Sequence, residues 1–64
     1  MKRYKVREVI RMLEADGWYI KAQRGSHRQF AHPVKKTKVT VNRSLNDDLS
    51  QFELNSIWKQ AGWK

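Results

Sequence analysis

Cysteine is absent from this 64-residue chain, so no disulfide and no thiolate metal site can staple it, and a cytoplasmic, reducing setting is expected. Long apolar runs are missing as well. Met1 to Leu13 is basic but broken by Arg7, Glu8 and Arg11, so neither a secretion signal nor a membrane span is expected. Acid is scarce: six Asp and Glu stand against 14 Lys and Arg, and no carboxylate falls in a strand-like segment. The two histidines, His27 and His32, lie five residues apart and would point to opposite faces of a strand, with no carboxylate beside them. No metal and no other cofactor is therefore expected.

What is abundant is positive charge, and it is unevenly placed. Residues 1–43 carry 12 Lys and Arg against three acids, a net +9, whereas residues 44–64 carry a net −1. A polyanion should thus meet the first two-thirds of the chain, and nucleic acid is the partner this balance favours. A membrane surface is disfavoured, because no helix combines a basic face with a broad aromatic apolar one. A chain of this length is read as one domain over residues 1–64, burying roughly 60% of the surface its unfolded form exposes. Its core must be compact and aromatic, drawn from Trp18, Phe30, Trp58 and Trp63.

Periodicity supplies the fold. Val6, Val9, Ile10 and Leu13 recur at helical spacing, Asp16-Gly17 closes that helix, and Arg3, Arg7 and Arg11 line its other face. That arginine row is either a solvated face or a phosphate contact. From Trp18 the period changes to two: Trp18, Ile20 and Ala22 alternate with Tyr19, Lys21 and Gln23. Arg24-Gly25-Ser26 turns the chain into a second run whose Phe30 faces the core, leaving His27 and Gln29 on the opposite face. Pro33 to Thr37 forms a basic loop, Val39 and Val41 mark a third strand, and Asn42 to Asp48 reads as irregular. Ser50 and Glu53 then form a capping box with Leu49 and Leu54 as its hydrophobic staple. Leu54, Ile57, Trp58 and Ala61 form the second apolar stripe, ended by Gly62, after which Trp63 can fold back. The expected fold is α+β, in the order α-β-β-β-α, with a three-stranded antiparallel sheet and two helices on one of its faces.

His27 is the candidate for chemistry. It follows a glycine turn, has Arg24 and Arg28 nearby, and has Ser26 and Gln29 placed to orient the ring or a substrate. The bland alternative, a surface or structural histidine, stays open on residue chemistry alone. His32, just before Pro33, is read as structural or exposed. Asp47-Asp48 is read as serving a helix amino terminus. The candidate RNA-binding residues are Arg7, Arg11, Lys21, Arg24, Arg28, Lys35, Lys36 and Lys38, with Gly25, Ser26 and Gln29 supporting His27.

The EVIRMLEADGW stretch, the GSHRQF hexapeptide, HP with a Lys-rich turn, KVTV, and the terminal SIWKQAG together resemble the HicA toxins of HicAB toxin–antitoxin systems. The likeness runs over nearly the whole chain, and the order and spacing of its pieces carry it. It implies a fold like the double-stranded RNA-binding domain, metal-independent endoribonuclease activity on mRNA, and neutralisation by a HicB-type antitoxin occluding His27, which matches the family's catalytic histidine. The chain departs from the pattern at Asn42-Arg43-Ser44-Leu45-Asn46, where a proline is common, and at Phe52-Glu53, which replace a Gly-Thr pair. Two rivals remain. A noncatalytic double-stranded RNA-binding module would want a lysine cluster before its last helix, where this chain reads Asn46-Asp47-Asp48-Leu49-Ser50. A pure protein-interaction subunit would need no basic sheet face.

Overall fold

The computed structural model describes residues 3–63 and gives seven elements. They are β1 (Tyr4–Lys5), α1 (Val6–Ala15), β2 (Tyr19–Arg24), β3 (His27–Ala31), β4 (Val39–Val41), β5 (Asp48–Leu49) and α2 (Gln51–Ala61). β2, β3 and β4 form an antiparallel meander in chain order. The expected α+β fold of two helices and a three-stranded antiparallel sheet is the one adopted. Val6, Val9 and Leu13 of α1, Leu54, Ile57 and Ala61 of α2, and Phe30, Val39 and Val41 of the sheet share one buried cluster, so both helices cover the Phe30 face.

A second, two-stranded ribbon was not anticipated. Tyr4 pairs with Leu49 and Lys5 with Asp48, so β5 begins at the last residue of the stretch read as irregular. The loop before β5 also completes α1: the Val6 and Arg7 amides donate to the Asp47 and Leu45 carbonyls at 2.9 and 3.1 Å, and Glu8 accepts from the Lys5 amide at 2.8 Å. Four amide donors at a helix start have no partner within the helix, so this loop supplies partners that the local sequence does not. Asp47 accepts from the Ser44 amide and Asp48 pairs with Lys5, so neither caps the amino terminus of α2. That terminus is closed by Ser50, whose hydroxyl accepts from the Glu53 amide at 3.1 Å while Glu53 accepts from the Ser50 amide at 3.0 Å. Leu49 and Leu54 are buried on either side, as a staple requires.

The far end of the molecule is tied by Asp16, the residue after α1. Its Oδ2 accepts from Trp18 Nε1 at 3.0 Å, Lys35 Nζ at 3.0 Å and Trp63 Nε1 at 2.9 Å. Lys35 Nζ also donates to the Ala61 carbonyl at 2.9 Å and stands 5.7 Å from the Trp18 ring centre. His32 belongs to the same cluster. Its Nε2 lies 2.7 Å from the Asp16 carbonyl, and its Nδ1 accepts from the Val34 and Lys35 amides, which fixes the tautomer with the proton on Nε2. Gly62 takes φ +76° and turns Trp63 back, with its ring centre 5.3 Å from that of Trp58.

Two consequences are measurable. Gly17 sits at φ +100°, and a Cβ there would lie 2.9 Å from His32 Nε2. Gly17→Ala therefore meets both backbone strain and a clash, and should cost more than about 1 kcal/mol in urea unfolding. Gly25→Ala, at φ +59° in open space, meets the strain alone and should cost less. Asp16 is the second case: its donors, the Trp63 indole first and Lys35 next, lower its pKa from 3.8 to about 2. A depressed carboxyl stabilises the fold fully above 3.8 and loses that contribution as pH falls towards 2. Asp16→Asn should accordingly lower the thermal midpoint at neutral pH, with the gap to the native chain closing across that acid interval.

Candidate active site

The β2–β3 hairpin carries the candidate site, and its turn is set by one glycine. Arg24 and His27 are directly paired across a two-residue turn, with Gly25 at φ +59° and no positive φ at Ser26. That is the type II′ turn, whose first central residue favours glycine and whose twist matches that of the strands. Both turn carbonyls are held by side chains: Gln23 Nε2 donates to Gly25 O at 3.2 Å, and an Arg28 Nη donates to Ser26 O at 3.2 Å. His27 thus opens β3 from a braced turn.

Register decides which side chains join it. Between Ile20 and Ala22 the β2–β3 pairing shifts by one residue, a bulge at Lys21. Ile20 pairs with core-facing Phe30, but beyond the bulge Ala22 pairs with Gln29 and Arg24 with His27. Ala22 therefore moves from its expected core-side position to the outer face, because one extra residue reverses every later side chain. The result is a shallow cavity of about 370 Å³ lined by Ala22, Gln23, Arg24, His27 and Gln29. Ala22 keeps its floor low, Arg24 stands across from the imidazole, and Gln29 follows His27 on the same face. Among the described residues the His27 ring makes no hydrogen bond, so Ser26 and Gln29 do not orient it here. No group of three or more His, Cys, Asp or Glu side chains comes together among the described residues either.

β2 was also expected to be half-buried, and it is not. All six of its residues are exposed, Ile20 at 44%, because the helices cover the β3 and β4 side of the sheet.

The remaining candidate cations divide into two sets. Arg28, expected to hold phosphate, is only 7% exposed. It lies on the Phe30 face, and its guanidinium donates to Ser26 O and, at 2.9 Å, to Arg43 O, joining the turn to the end of β4. The alternation that put His27 outward puts Arg28 inward, so its place among the RNA contacts is corrected to a structural one. Lys35 is partly engaged, its ammonium held by Asp16 and Ala61 O while about a third of the side chain stays exposed. Arg7 donates to the Asn46 side chain while remaining exposed. Arg11, Lys21, Arg24, Lys36 and Lys38 are exposed, and of these only Arg24 lines the His27 cavity.

Arg43 was missed. It is the single described non-glycine residue at positive φ, +79°, and it sits in the segment that departs from the resembling family. Its carbonyl receives Arg28, and its Nε donates to Glu53 Oε2 at 2.6 Å. The guanidinium holds the Glu53 carboxyl below its ordinary value, and Glu53 in turn raises the pKa of Arg43. Nothing in the local sequence marks that conformation, which asparagine or glycine adopts more readily.

The two inner and outer arginines of the hairpin should separate by experiment. Arg28→Ala leaves two carbonyls without their donor and should lower folding stability by about 1–3 kcal/mol in urea titration. Arg24→Ala should leave stability within about 0.5 kcal/mol of native while weakening RNA binding in low-salt fluorescence anisotropy. Equal stability losses would show that the hairpin's faces are misassigned.

Comparison with curated proteins finds no match for this chain. The family comparison does: residues 6–63 match the HicA toxins of bacterial toxin–antitoxin systems, a span that takes in both helices, the whole meander and the His27 turn. The chain belongs to the HicA toxin family.

Proposed function

We propose that the chain is a toxin endoribonuclease that cleaves mRNA without a metal, with His27 as its proton-transfer residue. The observation that carries this reading is the pairing of Arg24 with His27 across a glycine turn, on an exposed face whose strands hold no carboxylate. Directly opposed cross-strand residues have Cβ atoms about 4.5–5.5 Å apart, so a phosphate held by Arg24 lies within reach of the imidazole. In the proposed step His27 accepts the proton of the substrate's 2′-hydroxyl as that oxygen attacks the adjacent phosphorus. The 5′-oxygen of the next nucleotide leaves and takes up a proton from water, giving a 2′,3′-cyclic phosphate and a 5′-hydroxyl end, and the imidazolium then returns its proton to solvent. Arg24 balances the charge that develops on the phosphoryl oxygens. Lys21, Lys36 and Lys38 extend the cationic surface for the rest of the strand.

A toxin of this kind needs silencing, and the reading includes a HicB-type antitoxin, acidic at the contact, that lies over the sheet face and occludes His27. Opposite charge speeds such capture, and apolar contacts slow release.

The noncatalytic rival, a double-stranded RNA-binding module, is disfavoured at the start of α2. There Ser50 accepts from the Glu53 amide, and the carboxylates of Asp48 and Glu53 stand alongside.

Cleavage of a defined RNA by purified chain tests the proposal. His27→Ala should retain the native circular-dichroism spectrum and lose roughly 10²- to 10⁴-fold in cleavage rate, the range for a positioned acid or base. Excess EDTA should leave the native rate unchanged. Undiminished cleavage by His27→Ala removes the histidine, and chelator-sensitive cleavage rescued by Mg²⁺ removes the mechanism.

A further inference from the structure

The two edges of the meander are finished differently. The β4 edge is closed by α2: the Thr40 amide donates to Gln60 Oε1 at 3.0 Å, and the Thr37 hydroxyl donates to Gln60 O at 2.9 Å. The β2 edge is open. It is the longest strand, and among the described residues nothing pairs with its outer side. Arg24 and His27 close a two-residue hairpin and so form a hydrogen-bonded pair, which turns the N–H and C=O of the preceding Gln23 outward. Tyr19 and Ile20 lie exposed at the strand's start, at 51% and 44%.

Charge selects the occupant. From Gly17 to Asn46, thirty consecutive residues contain no Asp or Glu but seven Lys and Arg, and two of those, Lys21 and Arg24, are on β2 itself. Pairing β2 with a second copy would bring both copies' Lys21 and Arg24 onto one ribbon with strands about 4.8 Å apart, where like charges repel. A lysine and a bulge on an edge strand are also common guards against self-pairing. The charge obstacle does not apply to an extended segment carrying carboxylates, and beyond the bulge Ala22–Arg24 runs in regular register.

We infer that β2 is an acceptor edge for strand addition by an acidic segment of a protein partner, whose backbone pairs with the outward groups of β2 and whose carboxylates meet Lys21 and Arg24. The inference rests on the toxin–antitoxin reading above, and it names how the antitoxin docks. Main-chain bonds to β2 would provide affinity, with Tyr19 and Ile20 supplying apolar contact. An added strand lies about 10 Å from β3, two strand spacings away. It therefore disables the site chiefly by taking Arg24 from the phosphate, with any cover over His27 supplied by the rest of the partner.

Amide hydrogen exchange on the full chain, free and bound to its co-purified antitoxin, tests this. In the free chain the Gln23 amide should exchange quickly while those of Ala22 and Arg24, bonded to β3, are protected. In the complex Gln23 should slow by roughly 10²-fold or more. Gln23→Pro, which removes an outward N–H and spares the β2–β3 ladder, should weaken the complex at least about tenfold. A complex in which Gln23 stays unprotected and Gln23→Pro binds as native overturns strand addition while leaving the antitoxin reading standing. No complex at all removes that reading, and this inference with it. Concentration-dependent protection of Gln23 in the free chain would make the occupant a second copy instead.

Discussion

One carboxylate closes the end of this molecule that has no cysteine to close it. Asp16 stands where α1 ends, and the three donors on its Oδ2 come from the start of the sheet, the β3–β4 loop and the residues after α2. A single exposed ion pair contributes little, about 0–1 kcal/mol, because water competes for both partners. Here the same oxygen also receives two indole N–H groups, which carry no charge to be screened and whose rings are packed against the core or against Trp58. Burial of the rings and satisfaction of the carboxylate are thus one event. Loss of the acid would leave both indole N–H groups without this acceptor and the Lys35 ammonium with only the Ala61 carbonyl.

The other end depends on Arg28 in a comparable way. A guanidinium on the core face of a domain this small is costly unless its donors are met, and the carbonyls of Ser26 and Arg43 meet them. The geometry ties the His27 turn to the chain leaving β4, and Arg43 in turn is held to α2 through Glu53. The candidate site is therefore braced from behind: the buried Arg28, with Arg43 and Glu53 beyond it, fixes the turn on which the exposed imidazole sits. Such bracing from packed, hydrogen-bonded neighbours is what holds a reactive group in position on a hairpin.

The helices, the caps of α2 and the three sheet strands are legible because each depends on spacing within a short window: the i, i+3, i+4 pattern of Val6 to Leu13, the Ser50–Glu53 box, the alternation around Phe30. The resemblance carried by the GSHRQF hexapeptide and its neighbours was legible for the same reason. What escaped was set by partners distant in sequence. Tyr4–Lys5 becomes a strand only because Asp48–Leu49 lies beside it. The bulge at Lys21 has no glycine to announce it, so Ala22 was assigned to the wrong face while Trp18, before the bulge, was assigned correctly. Arg28 counts among the RNA-binding candidates because composition records a cation without recording what it donates to. Alternation already placed Arg28 with Phe30, and giving that pattern precedence over charge would have found it.

Subtracting the occupied cations changes what the surface can bind. With Arg28 engaged inside the fold, Lys35 paired to Asp16 and Arg43 to Glu53, the unpaired positive groups of the sheet region are those of β2 and the rest of the β3–β4 loop. A double helix read in the manner of double-stranded RNA-binding modules needs phosphate contacts at the start of the last helix as well. That position is held by Ser50, Glu53 and Asp48, with Arg43 already spent on Glu53. In the proposed reading, the cationic group beside the imidazole is Arg24, and the short face the two share suits one bent strand of RNA better than two grooves of a duplex. On the proposed function this is also the geometry the chemistry asks for, because in-line attack by a 2′-hydroxyl needs a backbone free to leave helical form.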